Sequence, residues 1–170
     1  DRWLERSRLA LRIALVELIM MVVLVTVAVS TAGWTWIVPA LVAVPLVAIE
    51  LWFDIRSRGR RLVPELCGSI GIASVAAVIV VASGDSASLA AGVWLVLAAR
   101  AVGAIPFVRA QITRLRRGAT TTWMSDRAQG VAVLIGVAAV VVDDRMVAGL
   151  VGIVVLAALQ IAWVRRPPIA

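Results

Sequence analysis

The sequence predicts an all-α fold, a polytopic integral membrane helix bundle with about six transmembrane helices and both termini cytoplasmic. Three observations predict it. Hydrophobic residues make up 62% of the 170 and charged residues only 16%, far from the balance of a soluble domain. The apolar residues fall in long runs, and about 20 of them in a helix suffice to cross a bilayer's hydrocarbon core. The basic residues are all arginine, and they gather in alternate connections between the runs.

The elements follow in order as one transmembrane domain over residues 1–170, with spans at about 10–32, 36–54, 64–83, 88–109, 127–142 and 146–164. The first follows a tail bearing Arg2, Arg6, Arg8 and Arg12, and breaks at Ser30-Thr31-Ala32-Gly33. The second ends in the corner LWFDIRSRGRRLVPELCG, residues 51–68, where four arginines crowd into Arg56 to Arg61. Pro64-Glu65 restarts the apolar pattern as a helix start, proline at the first position and an acid at the positive end of the dipole. Ser83-Gly84-Asp85-Ser86 separates the third and fourth spans. The fourth is interrupted by Gly103 and Pro106, and continues through Arg114-Leu115-Arg116-Arg117 to a stop at Gly118. The fifth span is short, with Asp126 and Gln129 spaced as a capping box. Asp143-Asp144-Arg145 turns the chain into the sixth.

Arginine placement orients the bundle. The N-terminal tail, the second-to-third connection, the fourth-to-fifth connection (Arg109, Arg114, Arg116, Arg117, Arg127) and the C-terminal Arg165-Arg166 hold all but two arginines. Short loops rich in Lys and Arg stay cytoplasmic, so these face the cytoplasm. The net charge of +7 then follows from topology, and attraction to anionic inner-leaflet lipids accompanies it. Nucleic acid is not implied.

Other chemistry is excluded by absence. With no histidine and no lysine there is no imidazole base, Schiff-base amine or P-loop lysine. The lone Cys67 can form no internal disulfide. Opening on Asp1 rather than Met, and on charged residues, the chain is expected to lack an upstream part of the natural protein.

The candidate site rests on ionisable residues inside spans, each costly in hydrocarbon unless paired or hydrated. Glu17, Glu50, Asp54, Glu65 and Arg100 form the candidate polar cluster, all in the cytoplasmic half. Arg100 lies nine residues before Arg109, roughly 13 Å deep, and calls for a carboxylate partner among Glu17, Glu50 and Glu65. Glu50 and Asp54, four apart on one helix face, either form a solvated helix end or hold a divalent cation. Arg56, Arg58, Arg60, Arg61, Arg109, Arg114, Arg116 and Arg117 are candidates for binding phosphate or lipid headgroups. Gly68, Gly71, Ala132, Gly136, Ala148 and Gly152 are expected at close helix contacts.

The order of an acid-ended span, FDIRSRGRRLVPELCGSIGIA, LAARAVGAIPFVRAQITRLRRG and SDRAQG, from about Glu50 to Gln160, resembles the YwiC-like family of bacterial membrane proteins. That resemblance implies a multi-pass membrane protein and no particular activity. Members carry a His-Gly-Ala-Trp motif in an N-terminal segment, which a chain without histidine lacks, together with about two spans. A more distant resemblance is to the UbiA-like prenyltransferases, which would place Mg²⁺ on Glu50 and Asp54 and a prenyl diphosphate on the arginines. This chain has fewer acids in that first motif and no cytoplasmic second DxxxD.

Three functions follow: a non-catalytic or accessory membrane protein, which nothing in the sequence excludes; a Mg²⁺-dependent binder or transferase of a prenyl diphosphate; or a transporter. An almost wholly apolar outer half counts against the transporter. As an accessory protein, the chain would contact lipid headgroups or a membrane protein partner through Arg109 to Arg117.

Overall fold

The computed structural model describes residues 2–57, 59, 61–118 and 122–165; for residues 2–6 and Arg117 the backbone alone is described. Among the described residues six helices follow one another: α1 Arg2–Ala32, α2 Ile37–Ile55, α3 Leu62–Ala82, α4 Ala87–Arg117, α5 Trp123–Val142 and α6 Val147–Val164, with one 3₁₀ turn, Asp144–Met146, before α6. All six are long and apolar enough to cross a membrane. We call the end holding the α2–α3 and α4–α5 connections the corner end, and the opposite one the far end.

The packing is that of a protein in lipid. The buried hydrophobic residues are Ala43, Ala77, Ala90, Ala98, Ala99, Ala132, Ala139 and Ala157, joined by Ile153 and Val164. Leu, Ile, Val and Trp point outward along every helix from Ser7 on. In water that distribution would be inverted, because burial of the large apolar groups drives folding there. In hydrocarbon it brings no gain, so helices associate through small residues that let their backbones approach.

On α5 the buried residues are Ser125, Gln129, Ala132, Gly136 and Ala139, alternating by four and three as a seam between close helices requires. That stripe faces α4 and α6, and α4 in turn packs on α3, and α3 on α2. Ala132 and Gly136 take their expected places, as do Gly68 and Gly71, both buried on α3. Ala148 and Gly152 do not: both face outward, and a side chain added at Gly152 would meet nothing. The contact is displaced by one position on α6, to Gly149, where an added Cβ would come within 2.8 Å of Val96 on α4.

α1 stands apart. Every residue from Ser7 to Val27 is exposed, and only Ala28, Val29 and Ala32, at its far end, are partly covered. α4 is one continuous helix through Pro106, and it closes on Gly118, whose φ of 78° suits a residue without a Cβ. Its start is capped by Ser86, whose hydroxyl accepts the Leu89 N–H at 3.2 Å.

Candidate functional site

Counting residues from the far end of each helix places a polar or small group of every helix at one level. Thirteen positions separate Ile37 from Glu50, Ala87 from Arg100, Gln129 from Val142 and Val147 from Gln160; fourteen separate Gly68 from Ala82 and fifteen Glu17 from Ala32. At about 1.5 Å per residue this is a layer roughly 20 Å from the far end.

Its centre is Gln129, 3% exposed. Its Nε2 donates to the backbone carbonyl of Gly103 on α4 at 2.9 Å and to Oε1 of Gln160 on α6 at 2.8 Å. A Cβ at Gly103 would lie 2.9 Å from the Gln129 side-chain oxygen, so a larger residue there would have to push the Gln129 amide aside. Gln129 is therefore a bridge among three helices and not part of a capping box with Asp126. The start of α5 is closed by Thr122, whose carbonyl accepts the Asp126 N–H at 3.0 Å and whose hydroxyl reaches the Asp126 carboxylate at 3.4 Å.

Arg100 lines a crevice with Gln129 and Gln160, and its side chain is exposed on the flank of the bundle. The expected carboxylate is not beside it: Arg100 has no ion pair with a described residue, and Glu65 is held by Arg109 instead, at 2.8 Å. The helices explain this. Glu65, in the first turn of α3, lies near the corner end and meets the corner half of α4, where Arg109 is.

The other acids go to different places. The Glu50 carboxylate occupies the space above Gly68, where any side chain on α3 would collide with it. The Asp54 carboxylate occupies the corresponding space at Gly59 in the corner. Glu17 is exposed on α1. No three acidic or cysteine side chains among the described residues come together as a metal site.

In the corner, Ser57 has φ of 54°, a left-handed conformation that closes the turn after α2, and its N–H bonds the Asp54 carbonyl at 2.8 Å. The Arg56 guanidinium lies 3.9 Å from the centre of the Trp52 ring, and that of Arg127 lies 4.7 Å from that of Trp123. These contacts suit cations next to interfacial aromatics. Arg61 is exposed just before α3, and Arg116 is exposed on α4. Arg58, Arg60 and Arg166 lie outside the described residues, as do the side chains of Arg2, Trp3, Arg6 and Arg117.

The far end holds a clamp that counting charges in the sequence does not reveal. Asp143, 7% exposed, accepts from Arg145 Nε at 2.9 Å and from Arg145 Nη2 at 2.8 Å. It also accepts from the Ser88 hydroxyl on α4 at 3.1 Å, and Arg145 continues to Ser86 at 3.1 Å. The clamp ties the α5–α6 turn to the start of α4. The hydrogen bond from the Arg145 guanidinium holds the Asp143 carboxyl at about 2, against an ordinary 3.8, with burial opposing and the Arg145 N–H and Ser88 hydroxyl assisting.

The fold and this layer define a multi-pass, lipid-contacting membrane protein whose internal polar groups meet across helix contacts. Residues 2–82, which hold α1 to α3, match the model of the YwiC-like protein family. The match shares Glu50 to Ala82 with the stretch that carries the sequence resemblance; LAARAVGAIPFVRAQITRLRRG and SDRAQG lie beyond it. Neither a curated protein nor a solved structure matches the chain.

Proposed function

We propose that the chain is a non-catalytic, accessory protein of the bacterial cytoplasmic membrane, one membrane domain whose polar layer sets how its helices pack. The carrying observation is the crevice beside Arg100, Gln129 and Gln160. It holds about 10 Å³, room for about one water and no substrate. The neighbouring polar groups support the same reading, since Gln129, Glu65 and Glu50 each lie on a contact between helices. Both termini and the arginine connections face the cytoplasm in this proposal, where Arg56, Arg61, Arg114 and Arg116 attract anionic headgroups.

The test is thermal stability of the protein in detergent against isoprenyl diphosphates, with and without Mg²⁺, for wild type and for Glu50→Gln with Asp54→Asn. A ligand that binds only the native state raises its stability. The proposal expects no shift from any diphosphate. A Mg²⁺-dependent stabilisation lost in the double variant would replace it with the prenyl-diphosphate transferase.

A further inference from the structure

Two charges in the layer lie on open surfaces. Glu17 sits on α1, the helix without covering neighbours along most of its length, and Arg100 sits on the flank of α4 beside α6. An uncompensated charge this far into hydrocarbon costs several kcal/mol, so both surfaces are incomplete as they stand. Glu17 opens onto a groove of about 420 Å³ between α1 and the far-end half of α3, lined also by Met21, Trp36 of the α1–α2 connection, Val78, Ile79 and Ala82. At the same groove the Trp36 indole N–H is buried with no acceptor among the described residues.

We propose that a second copy of this chain fills the groove, placing its Arg100 against Glu17 while its own Glu17 receives Arg100 of the first. The charges are complementary, and depth selects the pairing. A two-fold axis along the membrane normal preserves depth, so partners across it must lie at one level, as Glu17 and Arg100 do. The arrangement is isologous, each copy giving and receiving the same contact. Within one copy the pair is not made: neither Glu17 nor Arg100 has an ion pair with a described residue, and it is α3, lining the groove opposite α1, that packs on α4.

The experiment uses the full chain with Cys67→Ser. Two differently tagged copies, one Glu17→Cys and the other Arg100→Cys, are co-expressed and treated in membranes with a short bifunctional methanethiosulfonate. The expected product carries both tags. No cross-link overturns the proposal, as does a link of either copy to another protein or, in a control chain given both Glu17→Cys and Arg100→Cys, a link formed only within that chain. Photobleaching steps of dye-labelled protein in phosphatidylethanolamine–phosphatidylglycerol vesicles give the second measurement. Wild type should be dimeric. Glu17→Arg and Arg100→Glu should each weaken the dimer at least about tenfold, and the charge-exchanged double variant should recover it. Glu17→Gln, read in the same way, covers a Glu17→Arg chain that does not insert. A monomeric wild type, or variants that associate as wild type does, would refute the pairing.

Discussion

At the scale of the residue, the clamp at Asp143 shows how context sets what a side chain does. The segment Asp143-Asp144-Arg145 reads in sequence as a polar turn, and it is one. The bond from Ser88 to Asp143 spans 55 residues, and no local pattern announces a contact of that range. Because the folded pKa of Asp143 is depressed, its contribution is present above the ordinary 3.8 and is lost as pH falls toward about 2. Asp143→Asn should therefore lower the unfolding temperature in detergent at pH 7, with the difference closing between those two values. A difference that stays constant across that range would show that the carboxylate's charge is not what holds the turn. Gln129 teaches a related lesson. Its spacing from Asp126 fits a helix start, yet its burial decides its role. The available signal was depth: Gln129 and Gln160 share a level with Glu50 and Arg100, which a survey of ionisable residues alone passes over.

Among elements, the spans were legible because each is a long apolar run bounded by turn chemistry, and all six helices fall within a few residues of their expected places except where α1 and α4 run on beyond the apolar core. The extension of α4 to Arg117 and its stop at Gly118 could also be read ahead. What could not be read was rotation. Sequence shows that α6 carries small residues at Ala148, Gly149 and Gly152, but which of them meets a neighbour depends on how α6 turns about its axis. The structure chooses Gly149, against Val96. Gly149→Ala should therefore destabilise the protein by about 1–3 kcal/mol through overpacking. Gly152→Ala, with nothing near it, should be neutral or stabilising by up to about 1 kcal/mol from helix propensity. Unfolding of the two variants in mixed micelles compares them directly, and the reverse order would mean that α6 is rotated from this arrangement. The standoff of α1 was equally invisible, since its apolar run resembles the others and only its lack of covering neighbours distinguishes it.

For the whole molecule, class was the most legible property and function the least. Composition and the length of the runs establish a membrane protein, because hydrocarbon tolerates few polar groups and requires helices to satisfy their own backbones. The pairings of the polar cluster needed three dimensions: Glu65 goes to Arg109, Glu50 to the space above Gly68, and Arg100 to the open flank. The proposed bundle crosses the membrane six times with its arginine corners inside the cell. Its most direct test is labelling of single cysteines by a membrane-impermeant thiol reagent in a Cys67→Ser background, one in each connection in turn: Thr35, Ser57, Ser86, Thr122 and Asp144. Ser57→Cys and Thr122→Cys should label only from the cytoplasmic side, and Thr35→Cys, Ser86→Cys and Asp144→Cys only from outside. Two successive connections labelling from the same side would contradict the six crossings, and the fully reversed pattern would contradict the orientation.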